Sequence, residues 1–476
     1  MRPWSNPCAR KGVIPSFKND PACETKVCRD FSINVSRSQL NIDENGGFFE
    51  KHLNLGWFAR WSSIVVRFGT AQFAIQAITS VTGLLIARNM DLHEYAIYSI
   101  IFQMQFAIFY LADSGLGVGL KALASRDHES PERLGSLLST TMNLRFWFFM
   151  VAIIPCCPLV VWILKQNGVD WTTSLMLCVL MALGSLWSQS AALFSIIPWL
   201  HGQYKFVLTR DCLVTLFRLG MVLILLVTKL NALTLTLVSG LAFYLTAIST
   251  RNKFFEYATK QSAVNSSDRD VLLSYARRGF PNSLFVCLQG QIAIYIFTSF
   301  GQTDSIAKIS AIGRITVLSG IVTHAIGAVL TPKFAICRTH KKSVSLYKFI
   351  LGISLLSFMP FIVISYLSPG AFLWLLGTHY ATLGEELTIA MLVFSASQIS
   401  VVMWSLNSSR GWINSHSFFL IPSTLVLQIL FASMIDLSTI RGVLLIQLVQ
   451  PVVAMILMSI DAYHAFHKHD LETLTS

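Results

Sequence analysis

Charge is what this sequence is shortest of. Only 13% of its 476 residues are Asp, Glu, Lys or Arg, against about 25% in soluble domains. So few charges cannot solvate the surface of a soluble enzyme, and they exclude a disordered chain. Acidic residues are the scarcer sign, 24 against 36 basic ones. No G-x-x-x-x-G-K-[ST] loop is present, so ATP hydrolysis by this chain is not expected. The Gly115, Gly117, Gly119 series has no strand before it and reads as close helix packing. Nine cysteines form no disulfide framework. Cys23 and Cys28 lack a second pair at zinc spacing, and His464, His467 and His469 lack carboxylate or thiol company. No metal and no cofactor are expected.

What fills the chain instead is apolar: 54% of residues, 33 of them Phe, with a mean hydropathy of +0.59. A membrane helix needs about 20 apolar residues. Runs of that kind recur at 64–87, 95–119, 145–164, 175–197, 212–230, 233–250, 280–300, 310–331, 346–366, 386–406, 418–436 and 442–460. The predicted fold class is an all-α polytopic membrane protein of about 12 transmembrane helices. Lys and Arg outside these runs test the count. The two tails and the even-numbered connections hold 26, and the odd-numbered connections hold 5 when Lys229, at the end of its run, is counted with the turn that follows it. Basic residues gather on the cytoplasmic side, so both termini are expected there. The excess of positive charge then needs no nucleic-acid partner.

The predicted organisation begins with a polar cytoplasmic tail, disordered, over 1–63, and a first six-helix bundle over 64–250. A basic cytoplasmic linker over 251–279, a second bundle over 280–460 and a cytoplasmic tail over 461–476 complete it. Six helices per half make any repeat parallel, although 67–119 laid on 278–330 gives chance identity. The non-cytoplasmic connections are short. The longest, 367–385, carries His379 and Glu385–Glu386, which read as solvated loop groups. No catalytic residue is expected, and the chain reads as a non-enzyme.

Chemistry is left to polar groups inside the spans. Ionisable residues there cost about 2.5–3.5 kcal/mol to insert and are functional candidates by default. They are Arg67, Asp113, Arg218, Arg314 and His324. Arg67 and Arg314 lie near helix ends and have a snorkelling alternative. Asp113 and Arg67 have pairing with each other as an alternative. Arg218 is deeper, with Thr215 and Asp211 on its helical face. Gln72, Gln76, Thr79 and Gly83 form a polar stripe on the first span. Gln103, Tyr110, Ser114 and Gly117 continue the pattern on the second, Asn282, Gln289 and Gln291 on the seventh, and Ser397 and Gln398 on the tenth. Such stripes serve as helix glue or line a cavity shared by the halves. Three arginines against one aspartate favour an anionic cargo, phosphate above all, which guanidinium grips bidentately.

Residues 90–126 (MDLHEYAIYSIIFQMQFAIFYLADSGLGVGLKALASR) resemble the second span of polysaccharide-export flippases, with an Ala-Asp-x-Gly-x-Gly helix end. Residues 194–226 (FSIIPWLHGQYKFVLTRDCLVTLFRLGMVLILL) are similar to that family's passage into an Arg-bearing fifth helix, and 277–297 (RRGFPNSLFVCLQGQIAIYIF) to its seventh-helix entry. The resemblance covers about 60–460 and places the chain within the multidrug/oligosaccharidyl-lipid/polysaccharide exporters. It implies two six-helix bundles around a central cavity and alternating access. It implies as cargo an undecaprenyl-diphosphate-linked oligosaccharide, moved across the bacterial inner membrane for O-antigen or exopolysaccharide biosynthesis. Membrane lipids, a polysaccharide polymerase and a chain-length regulator are the implied neighbours. Arg67, Arg218 and Arg314 would be the cavity cations for the diphosphate. Arg67 lies ~140° around the helix from Gln72, a departure that weakens its place. The alternatives are a drug/cation antiporter of the same fold, which needs cavity carboxylates, and a membrane glycosyltransferase or polymerase, which needs a large external loop.

Overall fold

The computed structural model describes residues 55–124, 131–201, 203–254, 266–316, 340–410, 412 and 414–475, single residues between 317 and 339, and most side chains from Ala71 to His467 within those ranges. The chain divides into 1–63, of which only the helical stretch 55–63 is described, and 64–476, which contains the hydrophobic cores. Of the tail expected to be disordered over 1–63, residues 55–63 are instead helical, continuous with the first span because the stretch from Leu55 carries few charges; residues 1–54 and His324 lie outside the described residues.

Each expected span falls wholly or partly on a described helix. The first half comprises α1 (Leu55–Asn89), α2 (Leu92–Asp113), the short α3 (Leu116–Ala124), α4 (Pro131–Gln166), α5 (Trp171–Phe194), the short α6 (Ile196–Leu200), α7 (Tyr204–Val227) and α8 (Ala232–Lys253). The second comprises α9 (Ser266–Ser299), α10 (Thr303–Thr316), α11 (His340–Leu367), the short α12 (Pro369–Leu376), α13 (Gly384–Ser409), α14 (Asn414–Ala432) and α15 (Ile440–Thr475). Eight described helices are long and apolar enough to cross a membrane. The helix α7 is long enough but too charged for that criterion, because Lys205, Arg210, Asp211 and Arg218 all lie on it.

Several boundaries differ from expectation. The linker expected over 251–279 is helical at both ends, since α8 reaches Lys253 and α9 starts at Ser266. The tail expected over 461–476 continues α15 to Thr475. The run 95–119 is two helices, not one. Ser114 and Gly115 take positive φ of 41° and 89°, a conformation that stops a right-handed helix. The Asp113 carboxylate then accepts the Gly117 N–H at 3.1 Å and caps the start of α3. Caps elsewhere follow sequence. Asp170 heads α5, and the Thr172 hydroxyl with the Thr173 N–H at 3.0 Å holds its carboxyl well below the usual carboxylate range.

The elbow at 114–115 packs on α9, where the close-packing glycines are needed. A Cβ on Gly279 would stand 2.5 Å from the Ser114 carbonyl oxygen, and one on Gly119 would stand 3.1 Å from the Tyr275 ring. Overpacking of this kind costs about 1–3 kcal/mol. Gly279→Ala is therefore expected to lower the melting temperature of the purified protein. Gly290→Ala, on the same helix but with open space around it, is the control expected to leave it unchanged or higher.

The core is shared at one end of the molecule and split at the other. One cluster joins Ala87, Met90 and Tyr95 of the first half to Phe297, Ile312, Leu376, Tyr380 and Leu387 of the second. Tyr380 donates to the Ala87 carbonyl at 3.3 Å, and Arg88 stacks over Trp374 at 5.5 Å. At the opposite end Leu120, Leu134, Phe194 and Phe254 form a cluster of the first half alone. Phe334, Tyr347, Leu406 and Ala462 form another of the second half alone, where Arg410 donates to the Phe334 carbonyl at 2.6 Å. Among the described residues only the start of α9 bridges that end, through Leu272 and Ala276 against Leu116 and Leu144 and an Arg133–Asp268 ion pair.

Candidate functional site

The centre of the fold is α2, which packs against α4, α5 and α8 of its own half and against α9 and α10 of the other. Asp91 caps its start, accepting the His93 N–H at 3.1 Å, and Glu94 accepts the Ala232 N–H at 2.8 Å, tying it to α8. One turn further on, Tyr95 and Tyr98 are fully buried. Two arginines meet there. Arg218, from α7, donates through Nη2 to the Tyr98 hydroxyl at 2.9 Å. Arg314, from α10, interacts electrostatically with the hydroxyls of Tyr95 and Tyr98 and lies 4.9 Å over the Phe102 ring. Both arginines are half-buried, and among the described residues neither has a carboxylate partner. Unneutralised guanidinium in a low-dielectric surrounding is costly unless hydrogen-bonded. Tyrosine hydroxyls and a ring face meet part of that need, and the remaining donors are available to an anion with several oxygens.

The α1 stripe points to the same place. Gly83, its last member, faces Arg314, whose Cδ would lie 3.2 Å from an added Cβ. Gln72 and Gln76, on the same face of α1, are half-buried. Gln103 stays half-buried, and its carbonyl accepts from Gln291 Nε2 at 2.8 Å. Other candidates are engaged elsewhere. Gln289 exchanges hydrogen bonds of 2.8 and 2.9 Å with Gln428 on α14, which is helix glue inside the second half. Gln398 is half-buried on α13. Asp113 forms an ion pair with Arg145 of α4; the side chain of Arg67, its expected alternative partner, is not among those described. Asp211 is drawn to Arg210, which also donates to Thr250 and to Ser195 at 3.1 Å.

Sequence reasoning missed Tyr95, Tyr98, Phe102 and Arg145. The aromatic residues look like core on an apolar helix, and Arg145 looks like the edge of a span. The i, i+3 and i+7 spacing of the three aromatics was the available signal for one face.

No protein-family model and no curated protein matches the sequence. Solved structures do. The chain superposes on the inward-facing form of a multidrug-resistance MATE-family transporter of the MOP superfamily with a TM-score of 0.63 at 15% identity, covering 83% of this chain and 96% of that one. It superposes on the lipid II flippase MurJ, in an inward closed conformation, with a TM-score of 0.63 at 14% identity over 86% of this chain and 91% of that one. A MOP-superfamily transporter from Pyrococcus furiosus, described as having a binding pocket of reverse polarity, gives 0.60 at 17% identity over 84% and 95%. The chain has the all-helical fold of these transporters and is a multi-pass membrane protein.

Proposed function

We propose that the chain is a flippase. It moves undecaprenyl-diphosphate-linked oligosaccharide units across the bacterial inner membrane by alternating access, for surface polysaccharide biosynthesis, and it does no covalent chemistry. The observation that carries this is the convergence of Arg218 and Arg314, one from each half, on Tyr98 with no carboxylate between them among the described residues. A diphosphate offers both guanidinium groups bidentate acceptors. Arg67 belongs to the reading on its sequence position alone. With both termini cytoplasmic, as the Lys and Arg asymmetry indicates, the shared core closes the outer end. Among the described residues the two halves keep separate clusters at the cytoplasmic end and meet there through the start of α9. The likeness to MurJ supports a lipid-linked cargo. The likeness to multidrug transporters raises the antiporter reading, but the nearby carboxylates are occupied. Asp113 is paired with Arg145, and Glu94 accepts a backbone N–H.

The test is lipid extraction from a strain lacking the gene. Undecaprenyl-diphosphate-linked units are expected to accumulate on the cytoplasmic side while surface glycan disappears, both reversed by the wild-type gene. Unpolymerised units on the outer face would instead make the protein a later pathway enzyme. An unchanged glycan with new drug sensitivity would make it an antiporter.

A further inference from the structure

The helix α2 has one window, and it is aromatic. Between Leu92 and Asp113 only Phe106 (53%) and Tyr110 (37%) are exposed. They continue a run that starts at the arginines. Tyr98 and Phe102 have ring centroids 6.1 Å apart, Phe102 and Phe106 6.3 Å, and Phe106 and Tyr110 5.4 Å. Each step of four residues turns the stripe by about 40°, so that from Tyr98 to Tyr110 it winds about 120° around the helix, out of the buried arginine site and into the exposed window, with neighbouring rings in tilted contact. From Phe102 to Tyr110 it is about 12 Å long. Its upper rung carries Arg314, and its lower end stops one turn from the Asp113–Arg145 pair.

Exposure here differs from that of a lipid-facing helix. The helix α2 is packed by α4, α5 and α8 of its own half and by α9 and α10 of the other, so the window lies on a helix held between the halves. Ordinary core packing does not account for it either, because the two rings meet each other at a tilt of 51° and both touch Phe109, yet each keeps more than a third of its surface exposed. Rings of this kind offer a flat face with negative potential. That surface matches the C–H-lined face of a pyranose, whose hydroxyls stay at the rim in water.

We propose that Phe102, Phe106 and Tyr110 form a stacking track for sugar rings, on which the residues next to the diphosphate lie while Arg218 and Arg314 hold the diphosphate. This rests on the flippase reading and adds to it a subsite for the carbohydrate. The track recognises ring faces, not particular hydroxyls, and so tolerates different sugars.

The full-length protein in nanodiscs tests it with two probes, undecaprenyl diphosphate and the same lipid bearing two N-acetylglucosamine residues, with affinities read by native mass spectrometry. The wild type is expected to bind the glycosylated probe about tenfold more tightly, ~1.4 kcal/mol. Phe106→Leu with Tyr110→Leu keeps apolar bulk without ring faces and is expected to erase that preference while leaving the bare lipid bound as before. Phe106→Trp is expected to retain it. A preference that survives the double Leu variant, or is missing from the wild type, overturns the track. Equal loss of both probes in that variant also overturns it, since the rings would then hold the lipid tail. If the wild type binds neither probe, or binds both unchanged after Arg218→Ala with Arg314→Ala, the flippase reading itself falls and the track with it.

Discussion

Arg218→Ala and Arg314→Ala are each expected to abolish glycan export, by at least about 100-fold, while the protein still accumulates in the membrane. The size follows from the medium. A hydrogen bond to a charged group contributes about 1.5–3 kcal/mol, and each guanidinium offers a diphosphate more than one. Folding is expected to tolerate the loss because both side chains are half-buried and neither neutralises a carboxylate among the described residues. Arg218→Lys is expected to recover only part of the activity, since an ammonium is a point charge without the planar fork. The check is surface glycan measured beside membrane abundance of each variant. Wild-type export by Arg218→Ala would remove Arg218 from the site, and loss of the protein from the membrane would make the residue structural.

The largest effect on stability is expected at Asp113. Its partner Arg145 keeps 5% of its side-chain exposure and Asp113 keeps 24%. Breaking a buried pair costs about 3–5 kcal/mol because a charge is left uncompensated. The partial exposure of Asp113 puts Asp113→Ala near the lower end of that range. Loss of the α3 cap adds about 1 kcal/mol. Arg145→Met is expected to cost less, because the carboxylate it leaves behind is the better solvated of the two. Combining Asp113→Asn with Arg145→Met is expected to recover much of the loss. Thermal unfolding of the three purified variants in one detergent checks the order, and a double variant no more stable than Asp113→Ala would make the pair irrelevant to stability.

The pairing also separates what was legible in the residues from what was not. Hydropathy and the spread of Lys and Arg are local signals, and they sufficed for the helices. Arg218 and Arg314 stood out for a local reason as well, since a charge inside an apolar run is costly wherever the run ends up. The helix break at Ser114 was less legible. Gly-x-Gly permits a left-handed turn without requiring one, and the close approach of Gly279 requires it. That Arg145 is a partner of Asp113 was not legible, because Arg145 sits at the border of an apolar run and hydropathy says nothing about which helix lies beside which.

By itself, then, the chemistry of the residues determined a multi-helix membrane protein with an excess of intramembrane arginine. Which arginines meet, that they do so on Tyr98 with Phe102 beneath, and that Phe106 and Tyr110 stay uncovered were decided by tertiary structure alone. The reason is physical. Insertion energy depends on composition along one helix, whereas a site depends on which faces of α2, α7 and α10 come together, and that is set by packing between segments far apart in the chain.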